Sequence, residues 1–134
     1  MVVLLIGIIA TIAAPKLLRT SELAVDNGLR HTVTVIREAI DNFSTSYPGK
    51  LPGEDGTEAT FKSDMAPFLR GGRFPICTVG PAENNSVHMI TGGGVAAAIA
   101  ATQATHSWLY DYGSGEFYVN CDELSSDGVS YARF

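Results

Sequence analysis

Residues 1–47, MVVLLIGIIATIAAPKLLRTSELAVDNGLRHTVTVIREAIDNFSTSY, decide the fold. No charged side chain precedes Lys16. Beyond it, Leu18, Val25, Leu29, Val33, Ile36, Ile40, Phe43 and Tyr47 recur at helical spacing and fall on one face. A half that is apolar all round is joined, with no Gly-rich turn, to an amphipathic half. A single helix of about 45 residues would be about 70 Å long at ~1.5 Å per residue, far beyond the ordinary globular helix.

The chain has 134 residues, a net charge of −5 and two cysteines. Setting the helix aside leaves residues 48–134 for a single small head, with room for only a modest core. Lys and Arg are few and scattered, so no basic footprint for phosphate exists and nucleic acid is excluded as a partner. Cys77 and Cys121 lie in two separate apolar stretches of the head. They are read either as two buried thiols or as a disulfide, which persists only outside the cytoplasm. A bridge closing that loop would add about 3 to 4 kcal/mol in the chain-entropy model.

Residues 1–14 are short for a bilayer span, which needs about 20 apolar residues. Three readings compete: a core helix, the apolar region of a secretory signal cut near Ala13 or Ala14, or a longer span whose beginning is missing. The third is preferred, because no basic stretch precedes the run and Pro15 would sit at the cut. Pro15 inside a helix removes a backbone hydrogen bond, so a kink or melted turn is expected there. Gly28 is a second weak point. Arg19, Asp26, Arg30, Arg37 and Asp41 line one flank of the apolar stripe, and Asp26 with Arg30 has the favourable acidic-then-basic spacing.

The Tyr47-Pro48-Gly49 step ends the helix. Thr57 is the expected N-cap of a short helix from Glu58 to about Leu69 that buries Phe61, Met65, Phe68 and Leu69. FPICTV (74–79) and SVHMI (86–90) read as short strands. VAAAIAATQAT (95–105) is ambiguous between helix and loop, with a lean to loop. SWLYDY, GSG and EFYVN (107–120) make the clearest hairpin, and VSYARF (129–134) reads as a last strand. The expected fold class is α+β, a long N-terminal helix packed on a small antiparallel sheet.

The run of Val2, Val3, Leu4, Leu5, Ile6, Gly7, Ile8, Ile9 and Ala10, with Ala13, Ala14, Pro15 and Leu17, resembles the N-terminal segment of type IV pilins and of type II secretion pseudopilins. The leader, its cleavage site and the Glu that follows them in that family are not in this sequence, so an N-terminally truncated start is expected. The resemblance is specific over the first 20 residues or so and loose beyond residue 47. It implies a structural subunit of a pseudopilus or pilus-like filament, held in the bacterial inner membrane before assembly, with its head in the periplasm or on an extracellular filament. Val2, Val3, Leu4, Leu5, Ile6, Ile8, Ile9, Ile12 and Pro15 would then form the membrane and filament core. Its partners would be copies of itself, related pilin-like subunits, the inner membrane and, for the full-length precursor, a prepilin peptidase.

The resemblance also implies a calcium ion at Asp122, Glu123 and Asp127, hard oxygen ligands in the C-terminal loop. His88, His106, Cys77 and Cys121 lack the paired close spacing of a zinc motif. No nucleophile elbow, zinc-protease motif or phosphate-loop lysine is present, so no enzymatic role is expected. The alternative function is a membrane-tethered periplasmic or surface binding domain that forms no filament, with a ligand pocket among the aromatics of residues 108–118. A secreted enzyme behind a signal sequence is a third reading.

Overall fold

A computed structural model describes residues 1–134. Helix α1 is a single element, Val2–Ser46, about 68 Å long at ~1.5 Å per residue. It runs unbroken through Pro15, so no turn is melted there. The ring still removes the donor that would have met the Thr11 carbonyl. Gly28 faces open space, with nothing near a would-be Cβ. The apolar stripe is used only in its second half. Leu29, Val33, Ile36, Ile40 and Phe43 are buried, joined by Ala39, whereas Leu18, Val25 and Tyr47 are exposed.

The short helix α2, Glu58–Met65, is capped as expected: Thr57 has extended backbone and its side chain accepts from the Thr60 N–H. It stops four residues early. Pro67 falls in a 3₁₀ turn, Ala66–Phe68, which brings Leu69 into the core and leaves Phe68 half-buried.

The sheet is mixed rather than antiparallel. Strands β1 (Val87–Ile90) and β2 (Trp108–Asp111) are parallel, with Val87 opposite Trp108. Strands β2 and β3 (Glu116–Val119) form the expected hairpin, with Tyr110 opposite Phe117. Parallel neighbours need a crossover of a dozen or more residues, usually a helix. Here it is α3, Val95–Thr102, the Ala-rich segment read from sequence as a loop. Alanine is the best helix former, and Ile99 is its buried anchor. Residues 74–79 form no ladder with the sheet. Their backbone is used otherwise: the Cys77 N–H donates to the Asn84 carbonyl at 2.9 Å, and the Trp108 indole N–H to the Pro75 carbonyl at 3.0 Å. The expected last strand reduces to one bridge, Leu124 with Ser130, followed by a 3₁₀ turn, Tyr131–Arg133.

One face of the sheet packs on α1 and α2. Phe61, Phe74, Trp108, Tyr110 and Phe117 form its aromatic centre, with the Phe61 and Tyr110 rings stacked at 4.3 Å. Residues 53–56 turn tightly against this centre. Gly53 has φ +69°, and a Cβ there would lie 2.8 Å from the Phe61 Cβ. Gly53→Ala is therefore expected to cost about 2 kcal/mol from strain and overlap together. A lowered urea midpoint, followed through the fluorescence of the single tryptophan, checks this.

Candidate functional site

The distinctive surface is the uncovered half of α1. Val2, Val3, Leu4, Leu5, Ile6, Ile8, Ile9 and Ile12 are each more than half exposed, and Leu17, Leu18 and Leu23 continue the run. Pro15 is exposed among them. The head first covers the helix at Asp26, leaving residues 2–25 bare over about 36 Å. The uncharged part of this stretch, residues 2–15, covers about 21 Å, short of the roughly 30 Å hydrocarbon thickness of a bilayer, and Lys16, Arg19 and Glu22 follow it. By length and composition α1 is able to cross a membrane, a criterion that an N-terminal signal sequence also meets. So many bare large apolar side chains on one element mark a surface that some apolar phase or partner covers.

A polar clasp marks where the bare half meets the head. Asp26 is only 4% exposed, and its carboxylate accepts from the Ser126 N–H at 2.9 Å, from the Ser126 hydroxyl, and from the Tyr131 hydroxyl at 2.8 Å. One turn on, Arg30 pairs with Asp127 at 2.6 Å and lies over the Phe134 ring, 4.3 Å from its centre. Two turns further, Arg37 donates to the backbone oxygens of Phe117 and Phe134. The charged flank of the stripe therefore grips residues 126–134. The pair expected between Asp26 and Arg30 is replaced by Arg30 with Asp127, because Asp26 is consumed by Ser126 and Tyr131.

Partial desolvation pushes the Asp26 carboxyl up, but the bonds from Ser126 and Tyr131 outweigh it and hold it below the usual carboxylate range. The Ser125 hydroxyl and Arg30 bring Asp127 down to about 2. Burial and the Asp26 charge push the Tyr131 hydroxyl up to about 12. Both carboxyls are depressed in the fold, so what they contribute is fully present above the ordinary carboxylate value of 3.8 and is lost as pH falls through their lowered values. The Ser126 amide and Tyr131 ring signals in NMR should thus stay constant from neutral pH to about 5 and move toward released positions as pH approaches about 2.

Asp122, Glu123 and Asp127, the residues expected to hold calcium, do not lie together as a group. No three His, Cys, Asp or Glu side chains are placed to share an ion. Asp122 and Glu123 are exposed, while Asp127 is spent on Arg30 and Ser125. Cys77 and Cys121 are both buried in the one core cluster, as free thiols. Burial pushes each thiol above its usual range. Gly80 packs on Cys121, a Cβ there falling 3.1 Å from the sulfur. Of the aromatics in residues 108–118, Trp108 and Tyr110 are wholly buried and Phe117 is 1% exposed, while Tyr112 and Tyr118 are half-buried.

Two features escape sequence reasoning altogether. The Asp26 clasp joins residues 100 and 105 positions apart, and only the flank of charges hinted at it. His88 and His106 are 18 positions apart, yet their rings lie 5.4 Å from one another. No family model, no curated protein and no solved structure matches the chain.

Proposed function

We propose that this chain is a structural subunit of a type II secretion pseudopilus or type IV pilus-like filament, anchored in the inner membrane by α1 before assembly. The observation that carries this reading is the continuity of α1. One helix is an uncovered rod over residues 2–25, uncharged as far as Pro15, and from Asp26 is the spine on which the head is packed. In the membrane, lipid covers the rod. In a filament, the rods of neighbouring copies and of related subunits cover one another, so the apolar area stays out of water throughout. The role is burial rather than catalysis, and processing by a prepilin peptidase belongs to the precursor.

The matching of Val2, Val3, Leu4, Leu5, Ile6, Gly7, Ile8, Ile9, Ala10 and Pro15 to the pilin pattern supports this reading, as does a small α+β head behind a long helix. The test is to express the gene from its native locus and shear the cells. Filaments labelled by an antibody to the head are expected in electron micrographs. A protein found only as a monomer in the membrane fraction, with no labelled filament, would refute the proposal.

A further inference from the structure

Strand β1 carries His88, and the segment entering β2 carries His106, so the parallel crossover brings together two of the chain's three histidines. Both are half-buried, their ring centres are 5.4 Å apart, and their planes meet at 63° rather than stacking. Two imidazoles that share a tetrahedral ion through bonds of ~2.1 Å have ring centres about 5 Å apart. The spacing is compatible with a shared ion, and it is also that of an ordinary edge-to-face ring contact.

The Thr105 hydroxyl can select the tautomer. The Thr105 hydroxyl spends its one hydrogen on the Thr102 carbonyl, at 3.1 Å. When it does so, its oxygen, 2.8 Å from the His106 Nδ1, accepts from an Nδ1–H, the tautomer that leaves the Nε2 lone pair free. An outer hydrogen bond of this kind is how proteins orient a metal-binding histidine. His88 makes no hydrogen bond through either ring nitrogen, so both remain open to an ion. Glu58 contributes negative charge nearby, but one of its carboxylate oxygens is engaged by Lys62 at 2.6 Å and by the Val87 N–H at 3.0 Å.

We propose that His88 and His106 form a two-imidazole site for a divalent late transition metal ion of the zinc or nickel class, with water completing the coordination. Imidazole nitrogens suit these ions and not calcium or magnesium. An ion there would tie β1 to the start of β2 at the open end of the crossover, independently of whether the chain assembles into filaments.

The experiment is calorimetric titration of the full chain in detergent with Ni²⁺ and with Zn²⁺, on the wild type and on His88→Gln, His106→Gln and His31→Gln. The wild type should take up one ion per chain. Each substitution in the pair should weaken uptake by about tenfold or more, at least what the loss of an outer partner costs. His31→Gln should leave it unchanged, since His31 stands alone on the exposed face of α1. Absence of saturable uptake, retention of it in both pair variants, or its loss in His31→Gln overturns the proposal. A second readout needs no variant: Ni²⁺ added to the wild type should broaden amide NMR signals first at residues 87–89 and 105–107. Broadening centred on His31 or on residues 122–127 would overturn it equally.

Discussion

Phe61→Ala is expected to lose about 3 to 5 kcal/mol of the stability of the head. Phe61 is wholly buried, stacked on Tyr110 at 4.3 Å, edge-on to Phe74 at 5.6 Å and within 6.4 Å of Phe117. It is also the wall against which Gly53 closes the loop after α1. A domain of this size is stabilised by only about 5 to 10 kcal/mol in all, so the variant should sit near its unfolding midpoint in plain buffer. The single tryptophan reports this directly. Trp108 is fully buried in the wild type, and its emission should shift to that of an exposed indole at far lower urea. Phe61→Leu should lose clearly less, because most of the volume stays.

The parts legible in the sequence are those set by local chemistry. The threes and fours of the α1 stripe placed Leu29, Val33, Ile36, Ile40 and Phe43 in the core correctly. Thr57 before Glu58 marked a helix start, and the Gly-rich turn between two aromatic runs marked the hairpin. What was not legible depends on partners distant along the chain. Nothing in FPICTV says that its backbone will serve Asn84 and Trp108 instead of a ladder. The Ala-rich segment is a helix because β1 and β2 pair in parallel, which its own residues do not announce. The acidic loop carries the oxygen ligands of the calcium ion that the pilin resemblance implies. In three dimensions Asp127 faces Arg30, a residue 97 positions away, and no acidic triad converges. Asp26, one of five charges on the flank of the apolar stripe, is the most heavily bonded carboxylate at the clasp.

Ile9→Arg is expected to shift membrane partition of the full chain by about 3 kcal/mol or more, which is over 100-fold, since a charged side chain at the centre of a spanning helix costs that much against an apolar one. Ile9 is 65% exposed and touches nothing in the head, so the fold has no stake in it. Co-flotation of the protein with liposomes should fall sharply, while the urea midpoint of Trp108 fluorescence stays that of the wild type. Ile36→Arg gives the opposite pattern: Ile36 is wholly buried against the head, and an unpaired charge there should unfold it. One helix therefore yields two separable phenotypes, divided at Asp26.

The most direct measurement places a photo-crosslinking phenylalanine analogue at Ile9 in cells making the whole protein. If the chain assembles as proposed, the rods of neighbouring copies lie side by side, and irradiation should give covalent dimers and higher ladders of this chain. The same analogue at Asn85, an exposed residue of the loop between the core segments, should give few of them. Adducts to lipid alone from Ile9, under conditions in which the protein is abundant in the envelope, would contradict a filament role and leave α1 as a tether.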